Sequence, residues 1–198
     1  DLSMWLAITQ HWTGTSLTHL KLKDHSLPTS IHFWVDASPT FGVGIVCEQT
    51  REWMAVQLST AQLEAAWISK SHSSTALEAF ALPFILIHFP DLVQGRPFAV
   101  TTDSMCLKDS VAAGHSNTHL VEDLLRTYTA LAFHLDSLAV VSQVPREQNR
   151  PADALAGGDI EKFFRRAATD FAFSPRRSPR TPRSTPPWVS LIGPRCAL

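Results

Sequence analysis

Three closely spaced stretches early in the chain are mostly apolar and are separated by polar turns. Ile31-His-Phe-Trp-Val-Asp36 is rich in β-branched and aromatic residues and ends at an acid, with a Ser38-Pro39 turn just beyond. Phe41-Gly-Val-Gly-Ile-Val-Cys47 alternates large and small residues, and Trp53-Met-Ala-Val-Gln-Leu58 follows the polar turn between Glu48 and Glu52. Connections this short join antiparallel neighbours, so the pattern predicts a three-stranded meander. Residues 59–73 form a more polar segment containing Trp67, and residues 74–89 are then apolar nearly all round, which predicts a buried helix. Pro83 lies inside that run; an interior proline costs roughly 3 kcal/mol, so the helix must bend there or be two pieces.

Residues 96–102 read as a fourth strand and residues 138–142 as a fifth. Between them the periodicity predicts a helix opening at Asp103 and ending near Ala113, then a longer amphipathic helix over 118–135. A last helix is announced by Pro151, whose fixed φ and missing N–H suit a first turn, and is expected to run past Gly157-Gly158 toward Ala168. The order βββαβααβα implies an α/β fold, a mixed five-stranded sheet with helices on its faces, because parallel strands need crossover helices. Residues 1–30 mix an apolar patch (Met4, Trp5, Leu6, Ile8) with turns at Gly14 and Pro28 and read as a connector with a short helix. Residues 169–198 turn rich in Pro, Ser and Arg from Phe173 onward and read as a disordered basic tail. Residues 31–168 are left as one domain.

Composition adds limits. With 198 residues, 44% of them hydrophobic, the chain can bury one ordinary core. No apolar run reaches the roughly 18 to 20 residues of a membrane-spanning helix, and no secretory leader pattern opens the chain, so an intracellular protein of the cytoplasm or nucleus is expected. The start at Asp1 without Met reads as a piece of something longer. Cys47, Cys106 and Cys196 are odd in number and far apart, which argues against a disulfide framework or a structural zinc site. Residues 1–159 hold 9 Lys/Arg against 16 Asp/Glu, a charge of -7, while residues 160–198 hold 8 against 2, a charge of +6. An acidic body suits a phosphate-handling protein only if bound cations neutralise some of the acids.

Four carboxylates invite that reading. Asp36 could be a turn residue, Asp103 an N-cap and Asp153 a helix-dipole partner after Pro151, so none of these three speaks alone. Glu78 differs, because Ala76, Leu77, Ala79, Phe80, Ala81 and Leu82 leave it no polar face. A buried carboxylate needs a proton or a cation. If the strands ending at Asp36 and Thr102 are parallel neighbours about 4.8 Å apart, Asp36 and Asp103 can share one ion. Oxygen-only donors suit Mg²⁺, and two such ions can stabilise the attacking and leaving oxygens of a phosphodiester.

In order, V-D-A-S-x-x-x-G-V-G (35–44), A-L-E-A (76–79), T-T-D-S (101–104) and P-R-E-Q-N-R-P-A-D-A-L (145–155) resemble the ribonuclease H domain of retrotransposon reverse transcriptases, nearest to fungal gypsy-like and tyrosine-recombinase elements. The resemblance covers about residues 1–168 and makes 1–30 the connector to a polymerase region. It implies a ribonuclease H-like fold and endonucleolytic hydrolysis of the RNA strand of RNA–DNA hybrids. Asp36, Glu78, Asp103 and Asp153 are then the catalytic ligands of two Mg²⁺ ions, with Asp36 bridging both and Mn²⁺ able to substitute. Ser104, Asn149 and Arg150, beside those ligands, become candidates for sugar or phosphate contacts. Many members carry a His in the loop before the last Asp; residues 144–150 hold none, and Arg146 or Glu147 stands in that neighbourhood. No Tyr-x-Asp-Asp polymerase signature is present. A DNA-acting nuclease of the same fold and a catalytically inactive scaffold are the competing readings. His115 and His119 are spaced for a shared zinc but lack further ligands nearby, and Trp34, Phe41, Trp53 and Phe80 follow the burial period of a core rather than a base-stacking surface.

Overall fold

The structure, a computed structural model, describes Leu2, Leu6, Thr9 and residues 30–60, 73–171 and 174–176. The expected meander is formed by β1 (His32–Ala37), β2 (Gly42–Cys47) and β3 (Trp53–Gln57), with both pairings antiparallel. Two further strands, β4 (Pro97–Thr102) and β5 (Leu138–Gln143), pair in parallel, and β4 also lies parallel to β1. The strand order is β3-β2-β1-β4-β5, a mixed open sheet of the α/β class. The chain builds outward from β1 through β2 and β3 on one side and through β4 and β5 on the other, so strand order reverses between the parallel neighbours β1 and β4. Their carboxyl ends therefore open on one crevice, the position where ligands collect in open α/β sheets.

Alternation along the strands separates two cores. Phe33 and Val35 of β1, Val43 and Ile45 of β2, and Phe98 and Val100 of β4 face one side. There they meet α1 (Ser73–Ala79), α2 (Ala81–His88) and, outside these, α5 (His119–Leu135). Phe33 sits edge-on to Phe89 and Phe98, with ring centroids 5.2 and 5.8 Å away, a geometry that adds to simple area burial. On the other side, Val46 and Trp53, with Trp34 beside them, meet α6 (Arg150–Ala156) and α7 (Ile160–Asp170) through Leu155 and Phe163. Two more helices, α3 (Pro90–Val93) and α4 (Met105–Ala113), flank β4.

The apolar run of residues 74–89 is two helices, and the break falls at Phe80 rather than at Pro83. Pro83 becomes the third residue of α2, where a backbone N–H has no partner within the helix, so its missing donor costs little. The final helix is likewise two: α6 ends at Ala156, Gly158 adopts φ 75°, and Asp159 caps α7 by accepting from the Lys162 N–H at 2.9 Å. Gly158 also lies against the Phe41 ring, where a Cβ would sit 2.8 Å from Cδ2. The hairpin this creates is what brings α7 back over α6. The helix expected to open at Asp103 instead starts at Met105, capped by Ser104.

The boundary drawn at 168 shifts as well, since α7 continues to Asp170. Beyond it, the Trp53 indole N–H donates to the Arg176 carbonyl at 2.6 Å, and the Arg176 N–H donates to the Arg51 carbonyl at 3.1 Å. Arg176 is thus seated on the β2–β3 turn; residues 172, 173 and 177–198 of the expected basic tail, and the connector 1–30 apart from Leu2, Leu6, Thr9 and Ser30, lie outside the described residues. Among the described residues, no helix is long and apolar enough to cross a membrane.

Candidate metal centre

Asp36 occupies the carboxyl end of β1, and Asp103 follows the last residue of the parallel neighbour β4. Glu78 reaches the same end of the sheet from α1. One carboxylate oxygen from each of Asp36, Glu78 and Asp103 lies within 4.8 Å of the other two. Asp36 and Glu78 are buried, at 5% and 4% exposure, and Asp103 is half-buried. Like charges this close and this dry cannot all stay ionised without a cation. Burial foremost, and then the Asp103 charge, pushes Asp36 up to about 7. Glu78 rises to about 8, again chiefly through burial, against hydrogen bonds from Ser104 and Thr102 that favour its charged form. Asp103 is raised too, by burial first, while the Arg146 charge opposes the shift.

Local bonds hold the three groups in place. The Ala37 N–H donates to Asp36 Oδ1 at 2.7 Å, and the Thr102 hydroxyl donates to Glu78 Oε2 at 3.4 Å. Thr102 Oγ1 also accepts from the Ser104 N–H at 3.1 Å, which fixes the turn carrying Asp103. Ser104 accepts the Leu107 N–H at 3.2 Å and so takes the N-cap role considered for Asp103. With the cap filled by its neighbour, the Asp103 carboxylate is not needed to start α4. Among the described residues, none forms an ion pair with Asp36, Glu78 or Asp103. The donor set is all carboxylate oxygen, which fits a hard divalent cation such as Mg²⁺ or Mn²⁺.

Asp153 comes to the same end of the sheet, near enough for its charge to act on Asp36 and Asp103, but it is not one of the three residues whose oxygens lie within 4.8 Å of one another. The α6 helix reaches β2 because Gly44, the register partner of Asp36, has no side chain. A Cβ there would lie 2.5 Å from the Ala152 carbonyl oxygen and 2.6 Å from the Ala156 nitrogen. The Asp153 carboxylate turns to two arginines: Arg146 donates to Oδ1 and Arg166 to Oδ2, each at 2.8 Å. Burial would raise Asp153, but these hydrogen bonds outweigh it and hold the group below the ordinary carboxylate range. Arg146 comes from a 3₁₀ turn, Arg146–Gln148, ahead of α6.

The three residues expected to touch substrate are engaged inside the chain. Asn149 is fully buried and donates to the Val35 carbonyl at 2.9 Å, so it ties the loop to β1 and cannot reach a ligand. Arg150 lies against Asp170, with Nε to Oδ2 at 3.1 Å, and Ser104 is the helix cap. The sequence reading missed Arg166 altogether, since nothing near it in sequence marks it; its place depends on the α6–α7 hairpin. His115 and His119 are exposed, and His115 precedes the helix that His119 opens, so they share no helical face. Comparison with known proteins gives no match: no family model, no curated protein and no solved structure is significantly similar to this chain.

Proposed function

We propose that the chain is a metal-dependent nuclease of ribonuclease H-like fold that hydrolyses the RNA strand of RNA–DNA hybrids. The observation that carries this reading is the convergence of Asp36, Glu78 and Asp103 within 4.8 Å at the sheet's crevice. The strand order, with acids at the carboxyl ends of two adjacent parallel strands and a third on the crossover helix, supports the fold assignment. The four ordered motifs that resemble retrotransposon ribonuclease H supply the substrate class and the partner, a reverse transcriptase polymerase region. In such a site a bound Mg²⁺ neutralises phosphate charge and makes water a better nucleophile.

The chain's own residues prepare that chemistry. Asp36 and Asp103 are set side by side by the β1–β4 pairing, and the Thr102 and Ser104 hydroxyls steady Glu78 from below. Exposed Arg146, at the rim of the cluster, offers positive charge to a phosphate that the acidic body would otherwise repel. An RNA strand is distinguished from DNA through its 2′-hydroxyls, which a hybrid displays in its wide minor groove.

The test uses a hybrid labelled on either strand. With Mg²⁺ or Mn²⁺, RNA fragments should accumulate, the DNA strand and duplex DNA should stay whole, and EDTA should stop the reaction. An uncut hybrid, even with the chain joined to its polymerase region, would leave an inactive binding scaffold, a reading favoured by the ion pairs that occupy Asp153.

A further inference from the structure

Four ligands for two ions were expected, yet three carboxylates lie within 4.8 Å of one another and the fourth is paired with two arginines. Asp153 gives one oxygen to Arg146 and the other to Arg166, both at 2.8 Å, and is not part of the group whose oxygens lie within 4.8 Å of one another. We infer that this site takes a single divalent ion, on Asp36, Glu78 and Asp103, and that Arg146 and Arg166, anchored on Asp153, supply the second positive charge. This rests on the metal-centre reading above and concerns how many ions that centre accepts.

The arginine pair is built into the fold. Arg166 projects from α7, its side chain only 26% exposed, and the same Nη1 that meets Asp153 also donates to the Arg150 carbonyl at 2.9 Å. Arg150 in turn bonds Asp170 at the end of α7, so both ends of the α6–α7 hairpin are tied together around Asp153. Arg146 differs in that its side chain is 73% exposed. A guanidinium has five N–H donors, and the bond to Asp153 uses one, so Arg146 can hold Asp153 and still meet a phosphate oxygen. Arg146 is thereby assigned as a substrate-phosphate contact, and Arg166 as the residue that positions Asp153.

Charge favours the same count. Four ionised carboxylates are balanced by one divalent ion and two guanidinium groups. A second divalent ion would leave an excess of two positive charges and would have to bind Asp153 oxygens that each already face a guanidinium at 2.8 Å, against like-charge repulsion.

The experiment counts ions directly. Metal-depleted full chain is titrated with Mn²⁺ alone, and bound ion is read as loss of the free Mn²⁺ electron paramagnetic resonance signal. One Mn²⁺ per chain is expected for the natural sequence. Asp153→Asn should keep that one ion with affinity weakened less than about tenfold, the lower range for loss of an outer partner. An Arg146→Gln, Arg166→Gln chain, checked for folding by circular dichroism, should gain a second ion as Asp153 is released. Two ions on the natural chain, falling to one in Asp153→Asn, would overturn the inference while leaving the metal centre standing. No bound ion at all would overturn both.

Discussion

At the residue scale, adjacent side chains divide tasks that sequence alone could not separate. Either Asp103 or Ser104 could cap a helix beginning nearby; the structure gives the cap to Ser104 and leaves Asp103 for the cluster. Asp103→Asn should therefore leave thermal stability nearly unchanged while reducing hybrid cleavage by orders of magnitude. Ser104→Ala should lower stability by about 1 kcal/mol, the usual cost of a lost N-cap, in urea unfolding. A titration signature accompanies this. In metal-free protein Asp36 and Glu78 keep their protons up to about 7 and about 8, whereas the unfolded chain ionises near about 4. The unfolded state loses protons first, so the stability from these groups is complete below about pH 4 and drains away as pH rises through 7 to 8. With chelator present, the melting temperature should fall from about pH 5 to about pH 8, and Asp36→Asn with Glu78→Gln should flatten the fall. Added Mn²⁺ should reverse the trend, because binding requires the deprotonated carboxylates.

At the element scale, the strands were legible because short runs rich in β-branched and aromatic residues are bounded by turn residues, and all five lie within a residue or two of the expected bounds. The helix breaks were not. Nothing in Ala-Phe-Ala-Leu-Pro announces a stop at Phe80, and the more conspicuous Pro83 is harmless at the third position of α2. Pro83→Ala should change stability by less than about 1 kcal/mol, against the roughly 3 kcal/mol gain expected if Pro83 interrupted one long helix. Gly44 is the opposite case, a small residue whose purpose appears only when α6 lies on it. Gly44→Ala drives a methyl into the α6 backbone and should cost about 2 kcal/mol or more by urea unfolding, since the close atoms are main chain and cannot swing away. Three of the four acids were legible as a cluster through their strand and helix positions. The fate of Asp153 was not, because Arg166 reaches it only through the turn at Gly157 and Gly158.

At the scale of the whole molecule, the basic C-terminal stretch is not uniformly separate from the acidic body. Trp53 is almost fully buried, and its indole N–H depends on the Arg176 carbonyl. Ending the chain after Ala172 should lower stability by about 1 to 2 kcal/mol, the cost of a buried donor left without its partner. Ending it after Arg176 should not. Differential scanning calorimetry of the two truncations separates the seated residues from the sequence beyond them.

At the crevice, the ends of β1 and β4 and the helix α1 bring three carboxylates together. The most direct measurement is anomalous diffraction from crystals of the chain soaked in Mn²⁺. A peak with Asp36, Glu78 and Asp103 oxygens as its ligands is the predicted result. Well-ordered carboxylates with no anomalous peak between them, or an ion bound elsewhere, would contradict the account.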